Sequence, residues 1–236
     1  LSWQFTPVPG RPSAIALKLA KASFSNADLK GEADATWNSG AGDGHGRGAR
    51  FPGRLDLSAR LQQVRAQSVT RYLPLGIAAG VRQHLHDALQ GGQVRSASFK
   101  VKGDLWDFPF HSTRDGDLHI ALQVQDLLYA YLPAPWPAVE QASGEIEFDG
   151  LAMKLNRLRG RLWGYELRDV HGGIADLSIP HPVLTLQGQG QGPAADLLRF
   201  SRLAPASPRI GAALESVNVN GPSELKVTAR IPLSPD

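Results

Sequence analysis

From residue 94 to residue 192, apolar and polar residues alternate with period two in one run after another. That is the imprint of β-strands, whose successive side chains leave opposite faces. The cleanest run is 117–125. Leu118, Ile120, Leu122 and Val124 fall on one face, while Asp117, His119, Gln123 and Gln125 fall on the other. The same alternation predicts strands over 94–102, 144–148, 151–158, 161–168, 170–178 and 183–189. Upstream, Ile15, Leu17 and Leu19 sit at strand spacing within 13–24, and a strand over 29–37 follows the turn at 25–28. Leu55, Leu57, Ala59 and Leu61 then resume the alternation, so these three runs predict an antiparallel meander. Between them, residues 38–48 are too rich in glycine to hold a regular element and read as a mobile hairpin tip or loop.

Punctuation supports the strand reading. Asp149-Gly150 between two alternating runs is a tight-turn signal and predicts a hairpin. Asp115-Gly116 and His171-Gly172-Gly173 mark further turns, and Asn220-Gly221 predicts a last hairpin between 216–219 and 224–231. The pattern changes over 69–92, where Ile77, Val81, Leu85 and Leu89 recur every four residues with Ala88 beside them. That stripe predicts an amphipathic helix near 75–90, ended by Gly91-Gly92 and laid on the sheet. A short helix is predicted near 194–200, after Pro193. The fold class is therefore mainly β, with one extended antiparallel sheet and these two helices. No long polar linker divides it. Residues 1–236 read as one domain, subdivided at most into a meander (1–68), a helical insert (69–92) and a main sheet (93–236).

Composition narrows the function classes. With no cysteine among 236 residues, disulfides, thiolate zinc sites and thiol catalysis are excluded. Lys+Arg 25 against Asp+Glu 22 is nearly balanced. The basic residues are spread along the chain, which argues against a nucleic-acid partner. No apolar run reaches the length of a membrane-spanning helix. The chain starts at Leu1 with no signal-like segment, and we expect it to be an excised piece of a longer protein.

Candidate chemistry is thin. Gly188-Gln189-Gly190-Gln191-Gly192 follows an apolar strand, but Pro193 stands where a dinucleotide fingerprint needs glycine, and a phosphate loop's Gly-Lys-Ser/Thr is absent. Structural glycines explain the run better. His84 and His86 have a metal-like spacing only on a strand; on the predicted helix they diverge by about 200°. No metal site or cofactor is expected. Arg157, Arg159 and Arg161 fit an anionic lipid head or, more simply, a solvated sheet face. Glu145 and Glu147 lack a positioned base or oxyanion donor, so a catalytic pair is not expected.

Several phrases occur together in a telling order: Arg71-Tyr72-Leu73-Pro74 before the helix, Gly103-Asp104-Leu105-Trp106-Asp107-Phe108-Pro109-Phe110, Trp136-Pro137, the run from Gly144 to Gly150, and Ala229-Arg230-Ile231-Pro232-Leu233. Over roughly residues 60–235 this order resembles the YhdP family of Gram-negative bacteria, within the AsmA-like and TamB group. The phrase at 103–110 is its most specific part. The resemblance implies a segment of a very large periplasmic protein, tethered to the inner membrane by a helix outside this segment. It also implies a long curved sheet with a hydrophobic groove that conducts phospholipids between the inner and outer membranes. It implies no catalytic residues.

Taken with the alternation, this reading makes the apolar face a passive floor for acyl chains. Its candidates are Phe99, Val101, Leu118, Ile120, Leu122, Val124, Ile146, Phe148, Leu184 and Leu186. Among the aromatics interrupted by prolines, Trp106, Phe108, Phe110 and Trp136 are rim candidates, with sealing of the sheet end as the plainer explanation. The expected partners are phospholipid or another acyl-chain lipid and neighbouring segments of the full-length chain, and an exposed apolar trough in a fragment favours dimers. Two other readings fit the strand pattern: a scaffolding β-sandwich of the envelope with no groove, and a glycan hydrolase using Glu145 or Asp149, which would need paired carboxylates in a cleft.

Overall fold

The computed structural model describes residues 1–8, 11–73, 77–203 and 217–233. Eleven strands form one antiparallel sheet in which each strand pairs with the next in sequence. They are β1 (Ser2–Val8), β2 (Arg11–Ser25), β3 (Lys30–Asn38), β4 (Arg54–Arg65), β5 (Leu89–Asp104) and β6 (Gly116–Tyr129). The series continues with β7 (Val139–Asp149), β8 (Ala152–Leu162), β9 (Tyr165–Ile174), β10 (Val183–Pro193) and β11 (Pro222–Pro232). A 3-10 turn (Ala66–Arg71) and α1 (Ala79–Ala88) separate β4 from β5, and α2 (Ala194–Leu203) follows β10. The sheet is open, and no second sheet packs on it among the described residues. The strands therefore do not build a sandwich.

The sheet is curved, and its bends have a local cause. In β4 and in β6 to β9, a polar doublet interrupts the alternation between two apolar residues: Leu61/Val64, Val124/Leu127, Val139/Ala142, Leu155/Leu158 and Leu167/Val170. Period two would send residues three apart to opposite faces, yet Leu61, Val64, Val124, Leu127, Ala142 and Leu158 all join one apolar cluster. One doublet residue in each strand takes a left-handed conformation: Gln63 (φ 55), Asp126 (φ 51), Gln141 (φ 53), Arg157 (φ 50) and Asp169 (φ 50). In β6 to β9 the pairing register shifts around these residues. Lys21 (φ 49) does the same in β2, where the register slips between Leu19 and Ala22. Such bulges bend a strand and re-aim its side chains. All six left-handed residues are exposed, so the extra backbone lies on the polar side.

Crowding identifies the apolar face as the inside of the bend. A Cβ at Gly188 would lie 2.8 Å from Val170, at Gly192 2.7 Å from Tyr165, and at Gly144 2.6 Å from Leu158. Side chains of neighbouring strands lean over these positions. Gly188, Gly190 and Gly192 are thus strand glycines of β10.

Several local expectations are corrected. Gly91-Gly92 does not stop the helix. α1 ends at Ala88, and Leu89 already pairs with Tyr129 in β5, because the sheet ladder captures that backbone. Residues 75–76 of the predicted helix lie outside the described residues. The helical stripe does not lie on the sheet as a unit: Val81 is 51% exposed, and Ala88 is the buried residue of α1. The predicted strands 161–168 and 170–178 give way to a turn at Trp163-Gly164 and a single β9 that includes His171-Gly172-Gly173. Residues 217–220 form no strand; Ser216 lies outside the described residues, and β11 pairs instead with β10.

The glycine-rich segment is a hairpin loop, but it is pinned rather than free. Asp104, buried, accepts from the Gly48 N–H (2.7 Å) and the Trp106 N–H (3.0 Å). Arg47 donates to Asp107 (2.6 Å) and to Asp115.

Candidate functional site

The register assembles one continuous apolar face. One lane runs Ala33, Ala59, Phe99, Ile120, Phe148, Met153, Ile174, Leu184 and Ile231, each residue paired with the next across adjacent strands. The neighbouring lane runs Gly31, Leu61, Ala97, Leu122, Ile146, Leu155, Gly172, Leu186 and Ala229. Both cross nine strands, from β3 to β11. At about 4.8 Å between strands, that is a strip about 38 Å long. All ten floor candidates lie on this face. Val101, Leu118 and Val124 are buried within it, while Phe99, Ile120, Leu122, Ile146, Phe148, Leu184 and Leu186 are half-buried.

Both sides of the strip are covered where it crosses β4 to β6. On one side the 3-10 turn lays Ala66 and Val69 against Val64, Val94, Ala97, Val124 and Leu127. The turn is anchored by Asp28, whose carboxylate accepts from Ser68 Oγ (2.9 Å), Arg71 (2.9 Å) and Tyr72 Oη (3.2 Å). The Ser68 hydrogen bond above all, with Tyr72 and Arg71, holds this carboxyl below its ordinary value. Tyr129 on the same side meets His84 of α1 at 3.1 Å, and burial pushes its phenol up.

On the other side stands Phe110, which is 3% exposed and packs on Val101 and Leu118. Its ring is seated over two glycines of adjacent strands: a Cβ at Gly103 or at Gly116 would lie 2.6 or 2.5 Å from it. Of the rim candidates, then, Phe110 is internal. Trp106 and Phe108 are exposed, and Phe108 stacks edge-on against Phe110 at 5.7 Å. Trp136 lies in an aromatic group with Tyr131 and with Phe200 of α2. Beside it, Arg199 sits 4.0 Å over the ring of Trp163. The 3-10 turn, the Phe110 seat and α2's aromatic contacts are parts of the site that alternation alone did not disclose.

The opposite face is wet. Exposed pairs such as Lys100–Asp117 (2.5 Å) and Lys102–Asp56 (3.1 Å) stud it; such pairs add little stability and mainly keep the face solvated. A shallow depression of about 390 Å³ lies there, over Ser96, Ser98 and Ala121, between Arg60 and Gln62 on one side and Glu145 and Glu147 on the other. Arg157 holds Glu145 at 2.5 Å, and no group of three metal-binding side chains gathers among the described residues.

An open, bent sheet with a continuous apolar inner face and a charged outer face defines the β-groove class of fold. The chain belongs to the YhdP family, whose family model, described as YhdP protein, matches residues 9–236. The match extends well upstream of the phrases that carried the resemblance. No curated protein and no solved structure matches the chain. Membership places it among envelope proteins and points to AsmA-like lipid transport. No helix among the described residues is long and apolar enough to cross a membrane.

Proposed function

We propose that this chain is a non-enzymatic segment of a periplasmic lipid conduit and that its inner face carries phospholipid acyl chains between the inner and outer membranes. The observation that supports this reading most is the pair of apolar lanes crossing nine strands of an open sheet, with no second sheet over them among the described residues. Covering apolar area is worth about 25 cal/mol per Å², or about 0.8 kcal/mol per methylene. An acyl chain spans about 15 Å, half of a ~30 Å bilayer core, so the strip exceeds two chain lengths. Contacts of this kind are unspecific, which suits a conduit that must also release its cargo. The outer edges of β1 and β11 expose Trp3, Phe5, Val227 and Ile231 on the apolar side, and neighbouring segments of a longer, membrane-tethered chain would extend the trough there.

The test is native mass spectrometry of the chain after incubation with phospholipid vesicles, beside the double variant Ile120→Glu, Leu122→Glu. Both residues are half-buried on the floor, so the variant keeps its strands, which circular dichroism verifies. Bound phospholipid that disappears in the variant supports the reading. A lipid-free chain that also refuses added phospholipid overturns it and leaves a scaffolding role.

A further inference from the structure

The trough is not of even width. On β5, the buried residues nearest to each other from its two sides are Ala97 and Val101, four residues apart. On β6 they are Leu118 and Val124, six apart, and on β9 they are Tyr165 and Ile174, nine apart. At roughly 3.3 Å per residue, these intervals are about 13, 20 and 30 Å along the strand. Of these three intervals the shortest is on β5, over Phe99, where Ala66 and Val69 stand on one side and Phe110 on the other.

The Phe110 side is purpose-built. Phe110 has φ 65, a left-handed backbone that costs a non-glycine residue on the order of 1–2 kcal/mol. Two strands each place a glycine, Gly103 and Gly116, beneath its ring. Phe108, 40% exposed, leans edge-on against it and makes the top of the wall. A strained residue held in a dedicated seat, with an exposed aromatic on top, is costly for mere edge sealing and natural for a part that sets a width.

We propose that Phe108 and Phe110 form one wall of a throat over Phe99, and that this throat selects lipids by the number of acyl chains they carry abreast, passing two-chain phospholipids and disfavouring four-chain ones. The inference rests on the lipid-conduit reading above. A photo-crosslinking benzoylphenylalanine is placed in the full chain at position 99, in the throat, or at position 186, in the wide part. Each protein is exposed to vesicles of equimolar phosphatidylethanolamine and cardiolipin, and the adducts are identified by mass spectrometry. At position 186 both lipids are captured. At position 99 the two-chain lipid is preferred by roughly tenfold, the factor that excluding about two methylenes produces. Phe108→Ala, at an exposed site, abolishes most of that preference, whereas Phe108→Trp retains it. Adducts at 186 together with an unchanged ratio at 99 in Phe108→Ala overturn the throat while leaving the conduit standing. No adduct at either position overturns the conduit, and the throat with it.

Discussion

Replacing Phe110 tests whether the 105–115 segment is held on the floor of the trough by its ring. The side chain is 3% exposed, against Val101 and Leu118, with two glycines beneath it. Truncating a buried Phe to Ala costs about 3–5 kcal/mol, because the site collapses only in part. The glycine seat makes the upper end of that range the expectation, since Gly103 and Gly116 have no side chains to refill the space. At about 3 kcal/mol per molar urea, the unfolding midpoint of Phe110→Ala falls by about 1.3–1.7 M. A second variant separates ring from backbone. At ordinary φ, Gly is less stable than Ala by about 0.4–1 kcal/mol through the unfolded chain. At φ 65, relief of about 1–2 kcal/mol of left-handed strain offsets or exceeds that. Phe110→Gly should therefore be at least as stable as Phe110→Ala. The assay is equilibrium urea unfolding followed by circular dichroism and tryptophan fluorescence. A loss below about 1 kcal/mol for Phe110→Ala would show that the ring does not hold the loop, and a glycine variant clearly weaker than alanine would refute the backbone argument.

Other expectations follow from the same geometry. The Asp28 carboxyl is held below its ordinary value of 3.8, chiefly by Ser68, so its stabilising effect is present above about pH 4 and is lost as pH falls through the lowered value. In thermal melts, Asp28→Asn should be less stable than the native chain near neutrality, with the gap closing toward pH 2–3; a gap that is constant with pH would contradict this. Gln63→Gly should be near neutral, because relief at φ 55 offsets chain entropy. Its neighbour Gln62→Gly should cost about 0.5–1 kcal/mol in the same urea assay, and equal costs would remove the bend argument. A Cβ at Gly192 meets the ring and Cα of Tyr165 at 2.7 and 2.8 Å, whereas at Gly31 it meets only the movable ends of Leu61 and Phe24. Gly192→Ala should thus destabilise by about 1–3 kcal/mol and Gly31→Ala by less than about 1, a ranking that differential scanning calorimetry would check.

Alternation along single strands was enough to place Phe99, Ile120, Leu122, Ile146, Phe148, Leu184 and Leu186 on one face, because period two is a property of each strand alone. The Asp149-Gly150 hairpin and the helix after Pro193 were legible for the same reason: turn and cap chemistry is local. The bends leave a local trace too, since polar doublets such as Leu61-Gln62-Gln63-Val64 and Leu155-Asn156-Arg157-Leu158 interrupt the period. Other features had no local signature. Gly91-Gly92 looks like a helix stop until β6 is available to pair with the backbone around it. Phe110 looks like a rim residue until Gly103 and Gly116, thirteen residues apart in the chain, meet beneath it on neighbouring strands. Whether an apolar face is covered by a second sheet or left open is likewise beyond any one strand, since it depends on what the whole chain brings over that face. The sequence alone determined most of the strands and the faces of their side chains. Only the tertiary structure decided that the faces join into one bent, open trough with a narrow point, because burial and width arise between strands and not within them.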